Sequence, residues 1–337
     1  MDMKELLYTL SELDCIGSIT EAADKSYEIL SQYAKTEKTN STNVIGLLKG
    51  KADYTIMLDA HIDQVGFVVT NVDNDGFLTV STVGGIDLRA LPSRSVTVHG
   101  KEKITAVFCS TPPHLSKGET EYDDISKIKI DTALGSRIKD IVSVGNYVTF
   151  NQKCFDLSDD FVCGRSFDDR AGVVCLLELA KRLSKKELPV NVAFSLSTGE
   201  ELGLRGAITA AFSVNPDEAI AIDVDFGDSP DVPAEQSSVL GEGGIITFSP
   251  ILEKKLNQKL IGIAKESNIP YSTIVTGGKT STDADMISIS RGGVKTSLVS
   301  IPLRNMHSEV EILSLSDLTE ICNLLEKYIL SGGAFNA

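Results

Sequence analysis

Tryptophan is absent from the 337-residue sequence, and histidine occurs only four times, as His61, His99, His114 and His307. Cysteine occurs six times, and no two cysteines form a C-x-x-C pair. This spacing excludes the common cysteine-based zinc and redox motifs and is typical of reduced, mostly buried thiols in a cytosolic protein. Any histidine-dependent chemistry must therefore use one of these four side chains.

Basic runs and long apolar stretches are also missing. The 32 Lys+Arg are outnumbered by 47 Asp+Glu, so the formal net charge is −15. Without a basic stripe, we expect no nucleic-acid partner. No apolar stretch approaches the roughly 18 residues of a membrane span, and the N-terminal MDMKELLYTLSELDC contains no apolar signal region. These absences predict a cytoplasmic protein without a membrane span.

Hydrophobic periodicity divides the chain into two kinds of segment. The apolar run at 54–61 and the part after residue 164 show strand patterns that alternate with helix patterns, as at 171–183 and 254–266. This alternation predicts an α/β three-layer sandwich with a mostly parallel sheet. Between them, short β-rich pieces separated by Gly, Pro, Asn and Asp are typical of an all-β module. We predict one α/β domain formed by residues 1–66 and 161–337, interrupted by an inserted β domain of residues 67–160.

His61 and Asp63 lie at the end of the first apolar strand pattern. A spacing of two places both side chains on one face of a strand. A carboxylate in that position can fix the tautomer of a metal-binding imidazole and raise its basicity. The alternative is a polar strand end that faces solvent, and the H-x-D motif by itself favours that alternative.

Two acid pairs stand at predicted element boundaries. Asp168 and Asp169 precede a helix, where they would act as caps, or Asp168 would bridge two cations through its two oxygens. Glu200 and Glu201 follow an apolar strand, and ligands of α/β sheets bind at such strand ends. One of them could then bind a metal while the other holds a water. The alternative is an acid pair at the start of a helix.

Asp223 lies inside the apolar strand pattern Ala-Ile-Ala-Ile-Asp-Val. Burial of a carboxylate is costly unless it is paired or bound to metal, so a functional role is favoured here. The last predicted strand is Val294–Val299, and His307 follows it. By itself, a single histidine at such a position would usually belong to the surface or the core.

Taken together, these residues indicate a metal site. Two imidazoles and three carboxylates suit Zn²⁺, Co²⁺ or Mn²⁺. The set matches a two-metal centre with one bridging carboxylate, and Glu200 is placed to act as its general base. The candidate ligands are His61, Asp168, Glu201, Asp223 and His307.

At this point the sequence resembles a known family. Six segments are similar, in the family order, to the tetrahedral aminopeptidases, dinuclear metallopeptidases that include glutamyl aminopeptidases and proteins once labelled endoglucanase M. Together the segments are highly specific, although each is weak alone. They are DAHIDQVGF (59–67), PPHL (112–115), FDDRAG (167–172), GEELGLRGA (199–207), AIDV (221–224) and IPLRNMHSEVE (301–311).

The resemblance implies two divalent metal ions per chain, Zn²⁺ or Co²⁺, with Mn²⁺ also suited. It implies that Asp168 bridges both ions. His61 and Asp223 would complete one metal site, and Glu201 and His307 would complete the other.

The same resemblance implies that Glu200 is the general base and that Asp63 orients His61. It also implies a cytoplasmic enzyme that acts on peptide substrates. The inserted β domain would be a lid that mediates dimer contacts, and the dimers would assemble into a homo-oligomer such as a dodecamer.

Three positions depart from the family pattern. Gln64 stands where Glu is usual, Asn305 where Tyr is frequent, and Glu309 where Pro is common. None of these residues is a predicted ligand. The departures therefore affect the expected substrate preference more than the expected catalysis.

We predict a metal-dependent aminopeptidase that hydrolyses N-terminal residues from peptides. A glycosidase is one alternative, because Glu200 and a second acid could form a carboxylate pair, but this explains neither His61 nor His307. A catalytically silent assembly or binding homologue is the other alternative. The intact set of predicted site residues argues against it, because drift would be expected to break at least one of them.

Overall fold

An eight-stranded sheet forms the centre of the computed structural model, which describes residues 1–112, 114–115, 124–230 and 232–336. Pro113 of the PPHL segment lies outside the described residues. In the described part, the helices are α1 (Met3–Glu12), α2 (Glu21–Leu30), α3 (Phe167–Leu183), α4 (Arg205–Val214), α5 (Lys254–Ser267), α6 (Asp283–Ser288) and α7 (Leu315–Leu330).

Strands make up most of the remaining regular structure. Those in the described part are β1 (Cys15–Ile16), β2 (Ile19–Thr20), β3 (Lys35–Lys38), β4 (Val44–Leu48), β5 (Ala52–His61), β6 (Gly66–Val72), β7 (Leu78–Val83), β8 (Ser95–His99), β9 (Lys103–Phe108), β10 (Ile130–Asp131), β11 (Tyr147–Phe150), β12 (Phe155–Asp156), β13 (Phe161–Gly164), β14 (Val190–Ser197), β15 (Glu218–Phe226), β16 (Gly244–Phe248), β17 (Tyr271–Val275), β18 (Lys295–Leu303) and β19 (Glu311–Ser314).

The central sheet has the strand order β17-β16-β18-β15-β5-β14-β4-β3. Its middle strands β18, β15, β5 and β14 are parallel to one another. On the two sides of this parallel block, β4 pairs antiparallel with β14, and β16 pairs antiparallel with β18. The predicted mostly parallel sheet is confirmed. Because parallel strands end at the same edge, loops after four neighbouring strands meet there.

Helices cover both faces of this sheet. Alternate residues of β5 point to opposite faces, and Ile56 and Leu58 pack in a different apolar cluster from Met57. Helices α1, α2, α3, α5 and α7 contribute to the cluster around Ile56 and Leu58. Helices α4 and α6 contribute to the cluster around Met57. The chain therefore forms the predicted three layers.

A closed β-barrel interrupts the α/β part between β5 and β13. Its strand order is β10-β7-β6-β11-β8-β9. It has its own apolar core, in which the Phe67 ring packs edge-on against Phe108 and Phe150, with centroids 5.0 and 5.6 Å apart. The predicted domain boundaries, and the predicted use of this segment as a lid or dimer contact, stay predictions.

One strand differs from the sequence-based expectation in a way that matters for the site. The last predicted strand was expected to end near residue 299, but β18 continues to Leu303. The loop that carries His307 is correspondingly shorter. Every helix in the described part of the chain is too short or too polar to cross a bilayer.

A buried carboxylate closes the end of the sheet opposite to Asp223. Glu218 begins β15 and is fully buried. Its oxygens accept hydrogen bonds from the hydroxyl groups of Tyr54 and Tyr328, both at 2.9 Å, and from the backbone N–H of Ala334. Burial raises the pKa of Glu218, against the effect of these donors. One side chain thus joins β5, β15 and the C-terminal helix.

We predict that Glu218→Ala lowers the free energy of unfolding by about 2–4 kcal/mol, because the buried hydroxyl group of Tyr328 loses its carboxylate acceptor. Glu187→Ala is the matched control. Glu187 pairs with Lys51 on the surface, and loss of an exposed pair costs at most about 1 kcal/mol. Urea unfolding measures both variants. Equal losses in the two variants would contradict this role of Glu218.

Candidate active site

The predicted site residues gather at the carboxyl edge of the central sheet. His61 is the last residue of β5, Glu200 and Glu201 follow β14, and Asp223 lies in the second half of β15. His307 follows β18 after three intervening residues. Asp168 reaches the same place from the start of α3. These six side chains line one cleft with a volume of about 1070 Å³.

Asp168 lies between the two histidines. Its Oδ1 is 3.0 Å from Nε2 of His61, and its Oδ2 is 3.1 Å from Nε2 of His307. Burial alone would raise the pKa of Asp168, but its hydrogen bonds to His307 and His61 outweigh burial and hold the pKa below its usual value. Burial likewise disfavours the charged imidazoles, yet the surrounding carboxylates raise the pKa of His307 to about 9 and that of His61 above its usual value.

The metal-competent atoms around Asp168 form two groups, and Asp168 belongs to one of them. One consists of His61, Asp169 and Asp223, and the other of Asp168, Glu201 and His307. Within each group the ligand-type atoms lie within 4.8 Å of one another. The structure therefore brings all five predicted ligands together and adds Asp169.

Asp169 is both a helix-capping residue and a candidate metal ligand. Its Oδ1 accepts a hydrogen bond from the N–H of Gly172, which is the helix-capping contact expected of an acid at this position. Its Oδ2 is buried and has no hydrogen-bond partner among the residues that the structure describes. The sequence placed Asp169 at the helix start. It did not show that the free oxygen belongs beside His61.

Asp63 lies behind the cleft and is nearly buried. Its Oδ1 is 3.6 Å from Nδ1 of His61, which is longer than a hydrogen bond. Its two oxygens instead accept hydrogen bonds from the backbone N–H groups of Glu200, at 3.2 Å, and Glu201, at 3.4 Å. Asp63 thus holds the turn that presents both glutamates. Its predicted role in orienting His61 stays a prediction.

Glu311 is a site residue that the sequence analysis did not single out. Its buried carboxylate accepts hydrogen bonds from the N–H groups of Phe167 at 2.6 Å and Asp168 at 3.2 Å, and from the N–H of His307 at 2.9 Å. It therefore links the backbone of Asp168 to that of His307, and the side chains of these two residues form an ion pair. Glu311 was visible only as the last residue of a similar segment, because two of its three partners, Phe167 and Asp168, lie more than 140 positions earlier.

Arg170 follows the acid pair in the chain but does not neutralise it. Its guanidinium is fully buried and donates hydrogen bonds to the carbonyl oxygens of Ile62, Leu10 and Leu13, and to Oε1 of Gln64. The neutral Gln64 takes the place of the glutamate expected from the family pattern. Arg170 therefore supports the chain between His61 and Asp63 from behind.

Among the described residues, the cleft holds more carboxylates than basic side chains, and His61 and His307 are the basic groups paired with them. In the part of the chain that the structure describes, no Lys or Arg forms an ion pair with the site carboxylates. Burial and neighbouring carboxylates raise the pKa of Glu200 to about 7 and that of Glu201 to about 8, and burial raises those of Asp169 and Asp223. Buried, clustered carboxylate and imidazole donors fit divalent cations of the Zn²⁺, Co²⁺ and Mn²⁺ type.

Comparisons with known proteins identify a family and similar folds. A family model described as M42 glutamyl aminopeptidase matches residues 42–324. The lysyl aminopeptidase of Pyrococcus furiosus is 32% identical over 312 residues, which cover 89% of this chain and 88% of that protein.

Two solved structures are similar over almost the whole chain. The TET aminopeptidase of Thaumarchaeota archaeon SCGC AB-539-E09 has a TM-score of 0.93 at 28% identity, covering 99% of this chain and 97% of that one. The TET1 peptidase of Pyrococcus horikoshii has a TM-score of 0.86 at 31% identity, covering 98% and 99%.

We predict that Asp223→Asn stabilises the metal-free protein by about 1–2 kcal/mol, a typical size for a single-residue effect, because it removes a carboxyl group whose ionised form is disfavoured by burial. The same variant should gain less stability from added Zn²⁺ than the wild type gains, since it loses a charged oxygen. Thermal unfolding with chelator and with Zn²⁺ measures both effects. Glu235→Gln, an exposed position in the same cleft, is the control. The interpretation fails if Asp223→Asn is less stable than the wild type in chelator.

Proposed function

Because the chain belongs to the M42 glutamyl aminopeptidase family and is a metal-dependent aminopeptidase, we propose that it uses two divalent cations, both bound by the Asp168 carboxylate, to remove N-terminal residues from peptides. The observation that carries this proposal is the position of the Asp168 carboxylate. Its two oxygens face two different imidazoles, at 3.0 and 3.1 Å. A carboxylate that bridges two cations needs this kind of two-sided environment.

We propose a role for each remaining ligand candidate. His61 and Asp223 hold one cation together with Asp168, and Asp169 adds negative charge on that side, where its free oxygen lies. Glu201 and His307 hold the other cation. The ligand types suit Zn²⁺ or Co²⁺, and Mn²⁺ also fits. When bound, such ions lower the pKa of water and polarise the peptide carbonyl.

Glu200 is the proposed general base. It lines the same cleft but belongs to neither group of ligand atoms. Its Oε2 is 3.9 Å from Nε2 of His61, and the hydrogen bond from its backbone N–H to Asp63 fixes the turn on which it stands. From this position its carboxylate takes a proton from water and later delivers it to the leaving amine.

The two alternatives that the sequence left open fit the site less well. A glycosidase needs a pair of carboxylates, and such a pair would give no role to His61 or His307. A silent homologue would not need Asp63 and Glu311 to fix both sides of the cluster through backbone amides.

We also propose that the protein forms a homo-oligomer built from dimers, such as a dodecamer. The Pyrococcus horikoshii TET1 peptidase can assemble into a tetrahedron or a large octahedral shell, and this chain matches it over nearly its full length. The barrel of β6–β11 is the part that we assign to contacts between copies.

We predict that Glu200→Gln keeps the metal affinity of the wild type and lowers kcat by roughly 10²–10⁴-fold, the usual contribution of a general base. Glu235→Gln removes a carboxylate from the same cleft and should leave kcat unchanged. Hydrolysis of an aminoacyl-p-nitroanilide series, with metal content measured in parallel, tests this. A near-normal kcat for Glu200→Gln would exclude it as the base.

We predict that the enzyme cuts only peptides with a free N-terminus. The acidic cleft attracts a protonated α-amine, and anchoring of that amine orients the first peptide bond. A free peptide should therefore be shortened one residue at a time, whereas its N-acetylated twin should persist. Mass spectrometry of the two digests distinguishes these outcomes. Internal cleavage of the acetylated peptide at a comparable rate would refute the aminopeptidase mechanism.

A further inference from the structure

The loop that carries His307 has an unusual backbone. It joins β18 to β19, and both Asn305 and His307 have positive φ angles, of 58° and 60°. This left-handed region is unfavourable for residues with a side chain, so surrounding contacts must hold the loop in place. His307 is also the more exposed histidine: about a third of its side chain is accessible, whereas His61 is almost fully buried.

The barrel provides one of the holding contacts. Nη1 of Arg94 donates a hydrogen bond to Oε1 of Glu309 at 2.8 Å, and the Glu309 side chain is 9% exposed. Among the described residues, this is the sole ion pair or hydrogen bond between the barrel and the loop of residues 304–311. The two parts otherwise face each other across a cavity of about 330 Å³, lined by Phe150 and Ile86 on the barrel side.

The barrel backbone also approaches the site directly. Gly84 and Gly85 follow β7. A Cβ atom on Gly85 would lie 3.3 Å from Nδ1 of His307, and one on Gly84 would lie 3.0 Å from Oε2 of Glu201. Both side chains belong to the same group of candidate ligands. The backbone of the Gly84–Gly85 turn therefore packs directly against the side chains of Glu201 and His307.

The other group of candidate ligands has different support. His61 and Asp223 lie on central strands of the sheet, and Asp169 lies at the start of α3. None of these three makes a hydrogen bond or ion pair with the barrel in the described part of the chain. A change in the contact between the barrel and the loop should thus affect one half of the site only.

We propose that Arg94 is a positioning residue, which acts through Glu309 to hold the His307 loop against the Gly84–Gly85 turn and so sets the metal affinity of the Asp168–Glu201–His307 group. This inference rests on the proposed two-metal function. It gives the inserted barrel a part in the active site of its own chain. It also gives a purpose to Glu309, which stands where the family pattern commonly has proline.

Titration of the metal-free protein with Zn²⁺ by calorimetry tests the proposal in the wild type, Arg94→Met, Glu309→Gln and the double variant. We expect each single variant to weaken one of two binding events by about three- to tenfold and to leave the other unchanged. The double variant should be no weaker than the single ones, because both substitutions break the same contact. Arg89→Met is the matched control, since Arg89 pairs with Asp87 within the barrel.

Hydrogen exchange of the metal-free proteins gives a second readout. Amides of residues 305–311 should exchange faster in Arg94→Met than in Arg89→Met. Unchanged exchange there, or equal weakening of both binding events, would overturn the proposal. If the wild type binds a single ion, the two-metal function fails, and the exchange measurement still decides whether Arg94 holds the loop.

Discussion

Burial of many carboxylates at one edge of a sheet is the constraint on which the rest of this structure depends. Five of them gather beside two imidazoles, and ionised groups are costly to bury unless they are compensated. Arg170 is next to the cluster in sequence, yet it is turned toward backbone carbonyls on the other side. In the described part of the chain, the fold thus keeps Lys and Arg side chains out of ion pairs with the cluster and leaves its carboxylates available for a ligand.

Two further carboxylates stabilise this arrangement through the backbone. Asp63 accepts the N–H groups of Glu200 and Glu201, and Glu311 accepts those of Asp168 and His307. Each thereby fixes two residues of the cluster without occupying the cleft. The donors are backbone N–H groups, which carry partial positive charge. The turns are therefore held in place without a Lys or Arg side chain in these contacts. The precision of the site therefore depends on residues that stand behind the candidate ligands.

The sequence predicts the layers of the fold and the members of the cluster, and the reason is local. Apolar strand patterns that end in polar residues place His61 and Asp223 at one sheet edge, because parallel strands share their direction. The contacts that hold the cluster are not local. Glu311 meets Asp168 across 143 positions, and Arg94 meets Glu309 across 215. No periodicity encodes such pairs. The free oxygen of Asp169 was hidden for a different reason, since a capping acid and a ligand look alike in sequence.

The central claim is that Asp168 serves two metal ions. Anomalous diffraction from crystals of the Zn²⁺-loaded protein, recorded on both sides of the zinc absorption edge, tests this claim most directly. We expect two zinc peaks, one next to each oxygen of Asp168, with His61 bound to the first ion and His307 bound to the second. A single peak, or two peaks of which only one contacts Asp168, would contradict it.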